Sequence, residues 1–319
     1  MDAVDYEIYR RLSPDGLIRF WASRRIIDPR VSARQIADGV GLSEAGVRLR
    51  LKNLRAQGLL RGSSVTLNPS LFGASIVVAE VPVRSPRESE RLFRDLAVAD
   101  GMVFARDLLD EEERKVQVYY AADSPATTAR RTALVRRLSP TGVIRGPVPY
   151  FIPVGPSALS RLDWRLLDAF RRWPDGSLGR FAAESRTSGR TATRRFAVLL
   201  DTRACWWSHS PDSEEWPLAL LTISLEESAD AGAVAADVGR QIEGWMPVAT
   251  DGLGLEPDRA GRTVAGLVPV DRPAALERVV RRLLTIDGAA NVRRTFGLAS
   301  ATYPQWMDEH LGARLVARG

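Results

Sequence analysis

Apolar residues recur at two different periods along this chain, and the switches between them outline its elements. From Ser32 onward the spacing is helical. Ser32-Ala33-Arg34-Gln35-Ile36-Ala37-Asp38 predicts a short helix opened by a serine N-cap, whose hydroxyl can accept from a first-turn N–H. Gly39 and Gly41 break that helix and Leu42 gives the turn an apolar anchor. Ser43 caps a second helix through about Gln57, in which Val47, Leu51 and Leu54 form one stripe at i, i+4, i+7. Gly58 is a natural stop, because glycine enters left-handed backbone cheaply. Leu59 to Leu67 predicts a short hairpin, a wing. Upstream, Tyr6, Ile8, Tyr9 and Leu12 predict an initial helix, and Leu17, Ile18, Phe20 and Trp21 more buried helix before Pro29.

The period then changes. Ser75 to Val83 is β-branched and predicts a strand; Pro86 to Ala99 predicts a helix with Leu92, Phe93 and Leu96 on one side. Met102 to Leu109 and Lys115 to Ala121 predict two strands around the polar loop Asp110–Glu113. Pro125 to Leu138 is helical, and Val143 to Val154 extended and proline-broken. The order strand, helix, strand, strand, helix, strand is the ferredoxin-like βαββαβ pattern.

The second half repeats this order. Leu162-Asp163-Trp164-Arg165-Leu166-Leu167 resembles Val4-Asp5-Tyr6-Glu7-Ile8-Tyr9. Ser32 to Leu60 can be laid without gaps on Ser177 to Cys205, and five of the 29 pairs are identical: Ser32/Ser177, Ala37/Ala182, Ser43/Ser188, Arg50/Arg195 and Leu54/Leu199. Those positions are two helix caps, a core alanine, a helix arginine and a core leucine. Strands over 218–225, 248–255, 263–270 and 290–298 and helices over 229–242 and 273–284 complete a second βαββαβ set. The reading is an internal duplication, of α+β class, with two winged helix-turn-helix domains (1–72 and 156–212) alternating with two ferredoxin-like domains (73–155 and 213–319). Each βαββαβ unit leaves one open sheet face, and its simplest cover is the sister unit, sheet to sheet.

Charge sharpens the picture. The chain of 319 residues has net charge +6. Arg30 to Gly62 holds seven basic and two acidic residues, and Ser177 to Arg203 six and two, so the remainder is net negative. The positive charge sits on the two helix-turn-helix windows, a distribution that favours an anionic partner such as nucleic acid. No apolar run is long enough to span a membrane, and the acidic start lacks a signal-peptide core, so a cytoplasmic location is expected. One cysteine, Cys205, excludes an intrachain disulfide; with two histidines, His209 and His310, it makes a metal site unexpected. No Walker-type loop or Ser/His/Asp arrangement is present, and no cofactor is implied.

Ser43-x-x-x-Val47-x-x-Arg50-Leu51-x-x-Leu54-x-x-x-Gly58-Leu59-Leu60 resembles the recognition helix and wing entry of the Lrp/AsnC transcription regulators. The resemblance implies a sequence-specific DNA-binding regulator with its recognition helix in the major groove and its α/β domains serving association and small-molecule sensing. It is carried by Asp5 to Leu71; in the second copy Arg203 stands where the first has Gly58, and Thr187, Thr191 and Thr193 make the helix more polar. The expected DNA-contacting residues are Ser43, Glu44, Ala45, Arg48, Arg50, Lys52 and Arg61 in the first unit, and Ser188, Arg190, Thr191, Arg194 and Arg195 in the second. The bland alternative for each is a solvated basic helix face, or a helix kept for packing. The partners expected are double-stranded DNA and a small-molecule effector, the chain acting as a pseudo-dimer, alone or as a homodimer. No enzymatic activity is expected. The rivals are an Lrp-like sirohaem decarboxylase, which the lack of histidine across 75–154 and 218–298 disfavours, and an interaction protein that does not bind DNA.

Overall fold

The computed structural model describes residues 2–21, 24–58, 60–110, 113–147, 159–210, 218–248, 262–270 and 273–316. In chain order the elements are α1 (Ala3–Arg11), β1 (Arg19–Trp21), β2 (Arg24–Ile27), α2 (Ala33–Val40), α3 (Glu44–Ala56), β3 (Arg61–Leu67), β4 (Ser75–Pro82), α4 (Pro86–Ala97), β5 (Met102–Asp110), β6 (Arg114–Ala122), α5 (Pro125–Leu138) and β7 (Val143–Pro147). The second half follows with α6 (Arg161–Arg172), α7 (Leu178–Glu184), α8 (Gly189–Asp201), β8 (Cys205–Ser210), β9 (Leu218–Leu225), α9 (Ala231–Gln241), β10 (Met246–Val248), β11 (Thr263–Pro269), α10 (Pro273–Leu283), β12 (Ala289–Thr302) and α11 (Gln305–Val316). These elements gather into two compact units built from interleaved segments: 1–61, 108–113 and 209–299 in one, and 62–107, 114–208 and 300–319 in the other.

The first unit has three layers. Its sheet runs in the order β10-β11-β9-β12, antiparallel at each of these pairings. Alternation along the strands divides its side chains. Ala219, Leu221, Ile223, Val264, Val268 and Val292 pack on Val234 and Val238 of α9 and Leu276, Val280 and Leu283 of α10. Leu220, Ala265, Leu267, Met246 and Val248 face the other way, into the core of the first helix-turn-helix with Ile8, Ile18, Ile36, Val47 and Leu54. Ile18 N–H also donates to the Pro247 carbonyl at 3.0 Å. Both faces of this sheet carry apolar side chains, and in this unit the helix-turn-helix covers the second one.

In the second unit the sheet order is β5-β6-β4-β7, with Val78 opposite Tyr119 in the β4–β6 register. Helices α4 and α5 each begin Ser-Pro, the serine capping and the proline filling a first-turn position whose N–H has no intrahelical partner. Leu92, Leu96 and Val135 from these helices pack on Val77, Ala79, Val116, Val118 and Tyr120. The helices α6, α7 and α8 enclose an aromatic core of Phe170, Phe181, Phe196 and Trp207, with centroids 4.7–6.4 Å apart. Helix α11 packs on α6, where Arg171 Nε donates to Asp308 at 2.7 Å, and Trp306 sits edge-on to Phe72.

Several local expectations differ from this structure. The segment expected as helix before Pro29 contains the antiparallel pair β1–β2, Arg19 opposite Ile26. The expected wing hairpin is the single strand β3, and its sheet neighbour is β8. Helix α11 had no counterpart in the sequence reading. Most of the expected strand 248–255, and 148–154, lie outside the described residues. The expected cover for the open sheet face was the sister sheet; in the first unit it is the helix-turn-helix instead, because apolar residues of α1, α2 and α3 share one core with those of β10 and β11. No helix among the described residues is long and apolar enough to cross a membrane.

Candidate nucleic-acid interface

The geometry of the first helix-turn-helix is fixed by two serines and a glycine. Ser32 accepts from Gln35 N while the Gln35 side chain accepts from Ser32 N at 2.8 Å, a reciprocal capping box that starts α2. Gly41 ends α2 in left-handed backbone, φ +70°. Ser43 caps α3 by accepting from Gly46 N at 3.1 Å. With Val47 and Leu54 buried, the opposite side of α3 faces solvent with Ala45, Arg48, Leu49, Lys52, Asn53 and Arg55. Glu44, in the first turn, accepts from Arg48 Nε at 3.0 Å.

Helices α7 and α8 show the same capping and turn geometry. Ser177 caps α7 and Ser188 caps α8, the latter accepting from Thr191 N at 3.2 Å. The turn residue equivalent to Gly41 is Arg186, at φ +52°, and the stop equivalent to Gly58 is Arg203, at φ +55°, against +73° for Gly58. Non-glycine residues hold this backbone only where the surroundings demand it. Ala192, Phe196 and Leu199 form the buried stripe, and Gly189, Arg190, Thr193 and Arg194 are exposed.

The residues expected to meet DNA fall into distinct classes. Ser43 and Ser188 are caps, and Thr191 is half-buried with its hydroxyl 3.0 Å from that of Ser188. Ala45, Arg48, Lys52, Arg190 and Arg194 lie on exposed helix faces, with Glu44 half-buried beside them. The side chain of Arg61 lies outside the described residues. Arg50 and Arg195 are occupied within their own units. Arg50 Nη1 donates to Asp2 and Asp5 of the α1 end, at 2.7 Å each. Arg195 Nε donates at 2.6 Å to Asp163 of α6, and its Nη2 makes a second, bidentate contact. Asp163 is fully buried, and Ser160 N and Oγ each donate to it at 2.7 Å. Burial pushes the Asp163 carboxyl up, but the bonds from Arg195 and Ser160 outweigh it and hold the group below the usual carboxylate value. Hydrogen bonding from Arg50 does the same for Asp2. Off-stripe position made both arginines look free. The recurrence of Asp5 and Asp163 beside Arg50 and Arg195 was the signal that they pair.

A winged helix-turn-helix DNA-binding family model matches residues 28–61, which span α2 and α3 and reach the start of β3. The HTH-type transcriptional regulator LrpA of Pyrococcus horikoshii is 32% identical over 81 residues, 25% of this chain and 55% of the relative; the chain thus spans about half the length of the curated relative it matches. Among solved structures, the siroheme decarboxylase NirDL matches with TM-score 0.50 and 9% identity, covering 99% of both chains. AsnC of E. coli matches 48% of this chain and 97% of its own at TM-score 0.33 and 15% identity. The first of these structures overturns the expectation that the chain is no enzyme, since an enzyme shares its fold from end to end.

Proposed function

We propose that this chain, which carries an Lrp/AsnC-type winged helix-turn-helix, is a sequence-specific DNA-binding transcription regulator that sets α3 in the major groove. The observation that carries this reading is the family match over 28–61, on a helix pair whose caps, left-handed turn and apolar stripe leave Ala45, Arg48, Leu49, Lys52 and Asn53 outward. Arg50 and Arg195 hold their helices against α1 and α6 and are not base readers in this account. The matching caps, the matching left-handed residues and the matching Asp–Arg pairs support an internal duplication, and with it a chain that acts as its own pseudo-dimer. Because the two exposed faces differ, the operator has no exact palindrome. The α/β domains serve association and effector sensing, and the protein works in the cytoplasm. The test is fluorescence anisotropy of a duplex against a scrambled competitor. Retention of the selected duplex under excess scrambled DNA supports the reading; equal competition by both refutes sequence-specific binding.

A second reading is favoured by one observation, the fold shared with a siroheme decarboxylase along the whole chain. In that reading the α/β part binds an iron tetrapyrrole and removes carboxylate groups from it. Adding the tetrapyrrole to the purified protein would shift its visible absorbance, and mass spectrometry would find product lighter by carbon dioxide. An unshifted spectrum and unchanged mass refute it.

A further inference from the structure

The two outward helix faces differ at every equivalent exposed position. Glu44, Ala45, Arg48, Leu49 and Lys52 of α3 correspond to Gly189, Arg190, Thr193, Arg194 and Ala197 of α8. On α3, the first turns are nearly neutral, because Glu44 pairs with Arg48 at 2.5 Å. What α3 offers there is chemically varied: a carboxylate acceptor, a guanidinium, and two apolar groups, with Leu49 59% exposed. Base edges are distinguished by such a mixture, since carboxylates accept from cytosine and apolar side chains meet the thymine methyl. On α8 the first turns carry no acid at all. Arg190 and Arg194 are exposed and make no ion pair among the described residues, and Arg186 stands exposed in the turn just before them. The hydroxyls on this face are occupied: Thr193 Oγ1 donates to the Gly189 carbonyl at 2.9 Å, and Thr191 is bonded to Ser188. Helix α8 therefore presents guanidiniums with no carboxylate acceptor or exposed apolar group beside them, so the discrimination it can offer is limited to a guanidinium on guanine, whereas any phosphate accepts the same groups.

We infer that the two helix-turn-helix units divide the work: α3 reads sequence, while Arg186, Arg190 and Arg194 at α8 form a sequence-tolerant clamp on DNA phosphates. The inference rests on the DNA-binding reading above and goes beyond it by assigning different roles to the two halves. Phosphate contacts release counterions and give binding its salt dependence, whereas base contacts give it selectivity. The two contributions separate experimentally.

The test uses the full chain and two duplexes, one selected by the wild type and one scrambled, titrated across a salt series. The variants are R190A/R194A on α8 and L49A on α3. All three side chains are exposed, so the folds should survive, and thermal melts check that. For R190A/R194A the expected result is weaker binding to both duplexes by the same factor, and a log–log salt slope shallower by about 2, since each phosphate contact contributes about 0.9. For L49A the expected result is a lower ratio of selected to scrambled affinity at an unchanged slope. If R190A/R194A lowers only the selected affinity, or leaves the slope unchanged, the division is wrong while DNA binding stands. If the wild type binds neither duplex, the DNA-binding reading fails and takes this inference with it.

Discussion

Removing the carboxylate of Asp163 should destabilise the protein far more than removing its counterpart, Asp5. Asp163 is fully buried and accepts four hydrogen bonds, two from Ser160 and two from Arg195. Asp163→Ala deletes the capping box of α6 and strands a guanidinium. Breaking a buried ion pair from one side costs about 3–5 kcal/mol. Because the Arg195 side chain is 26% exposed and regains some water, the lower end, about 3 kcal/mol, applies. Asp5→Ala opens the capping box of α1 but keeps the Asp2 cap and leaves Arg50 its second partner Asp2, which is 56% exposed, so the loss should stay at about 1 kcal/mol. In thermal melts the first variant should fall by roughly 6–12 °C and the second by about 2–4 °C. The pH dependence carries a sign. The folded Asp163 carboxyl lies below its ordinary value, so its contribution is complete above the unfolded pKa of about 3.9 and is lost as pH falls through the lower folded value. Asp163→Ala should therefore flatten the acid limb of the stability curve below about pH 4. Equal losses for the two variants, or an acid limb unchanged in Asp163→Ala, would refute the assignment of Arg195 to a structural pair.

Leu54, 1% exposed in the core of the first helix-turn-helix, should cost about 2–5 kcal/mol when cut to alanine, read by urea unfolding. Arg203→Gly should stabilise by about 1 kcal/mol, because its φ of +55° is left-handed and glycine adopts that backbone without a Cβ penalty; a lower melting temperature contradicts this. Cys205 is buried and its thiol is pushed up by burial, so a thiol reagent should leave it unmodified in the native protein and label it once denatured.

What was legible in the sequence is what local chemistry decides. The serines at 32, 43, 177 and 188 all cap the helices they were expected to cap, since a hydroxyl three residues before a helical N–H needs no distant partner. Of the expected stripe 47/51/54, Val47 and Leu54 are buried and Leu51 is half-buried against the same core, and 192/196/199 are buried, for the same reason. Misreadings occur where partners are far apart in sequence. The wing became a single strand because β3 is neighboured by β8 rather than folding back on itself. The pair β1–β2 was hidden in an arginine-rich segment whose aromatic and aliphatic residues also suit a helix. Arg50 and Arg195 lie off the apolar stripe; the recurrence of Asp5 and Asp163 in the two copies hints at a pair, and the placement of α1 and α6 brings those carboxylates to them. The proposed DNA-contacting set therefore shifts from arginine count toward the side chains that each helix leaves exposed.

The most direct test of the central claim is selection of the purified full chain against a pool of random duplex DNA, followed by sequencing of the bound fraction. DNA recognition by α3 predicts enrichment of one motif, without exact palindromic symmetry, and loss of that motif when Leu49 and Arg48 are replaced by alanine. A bound fraction no different in sequence from the starting pool would contradict it.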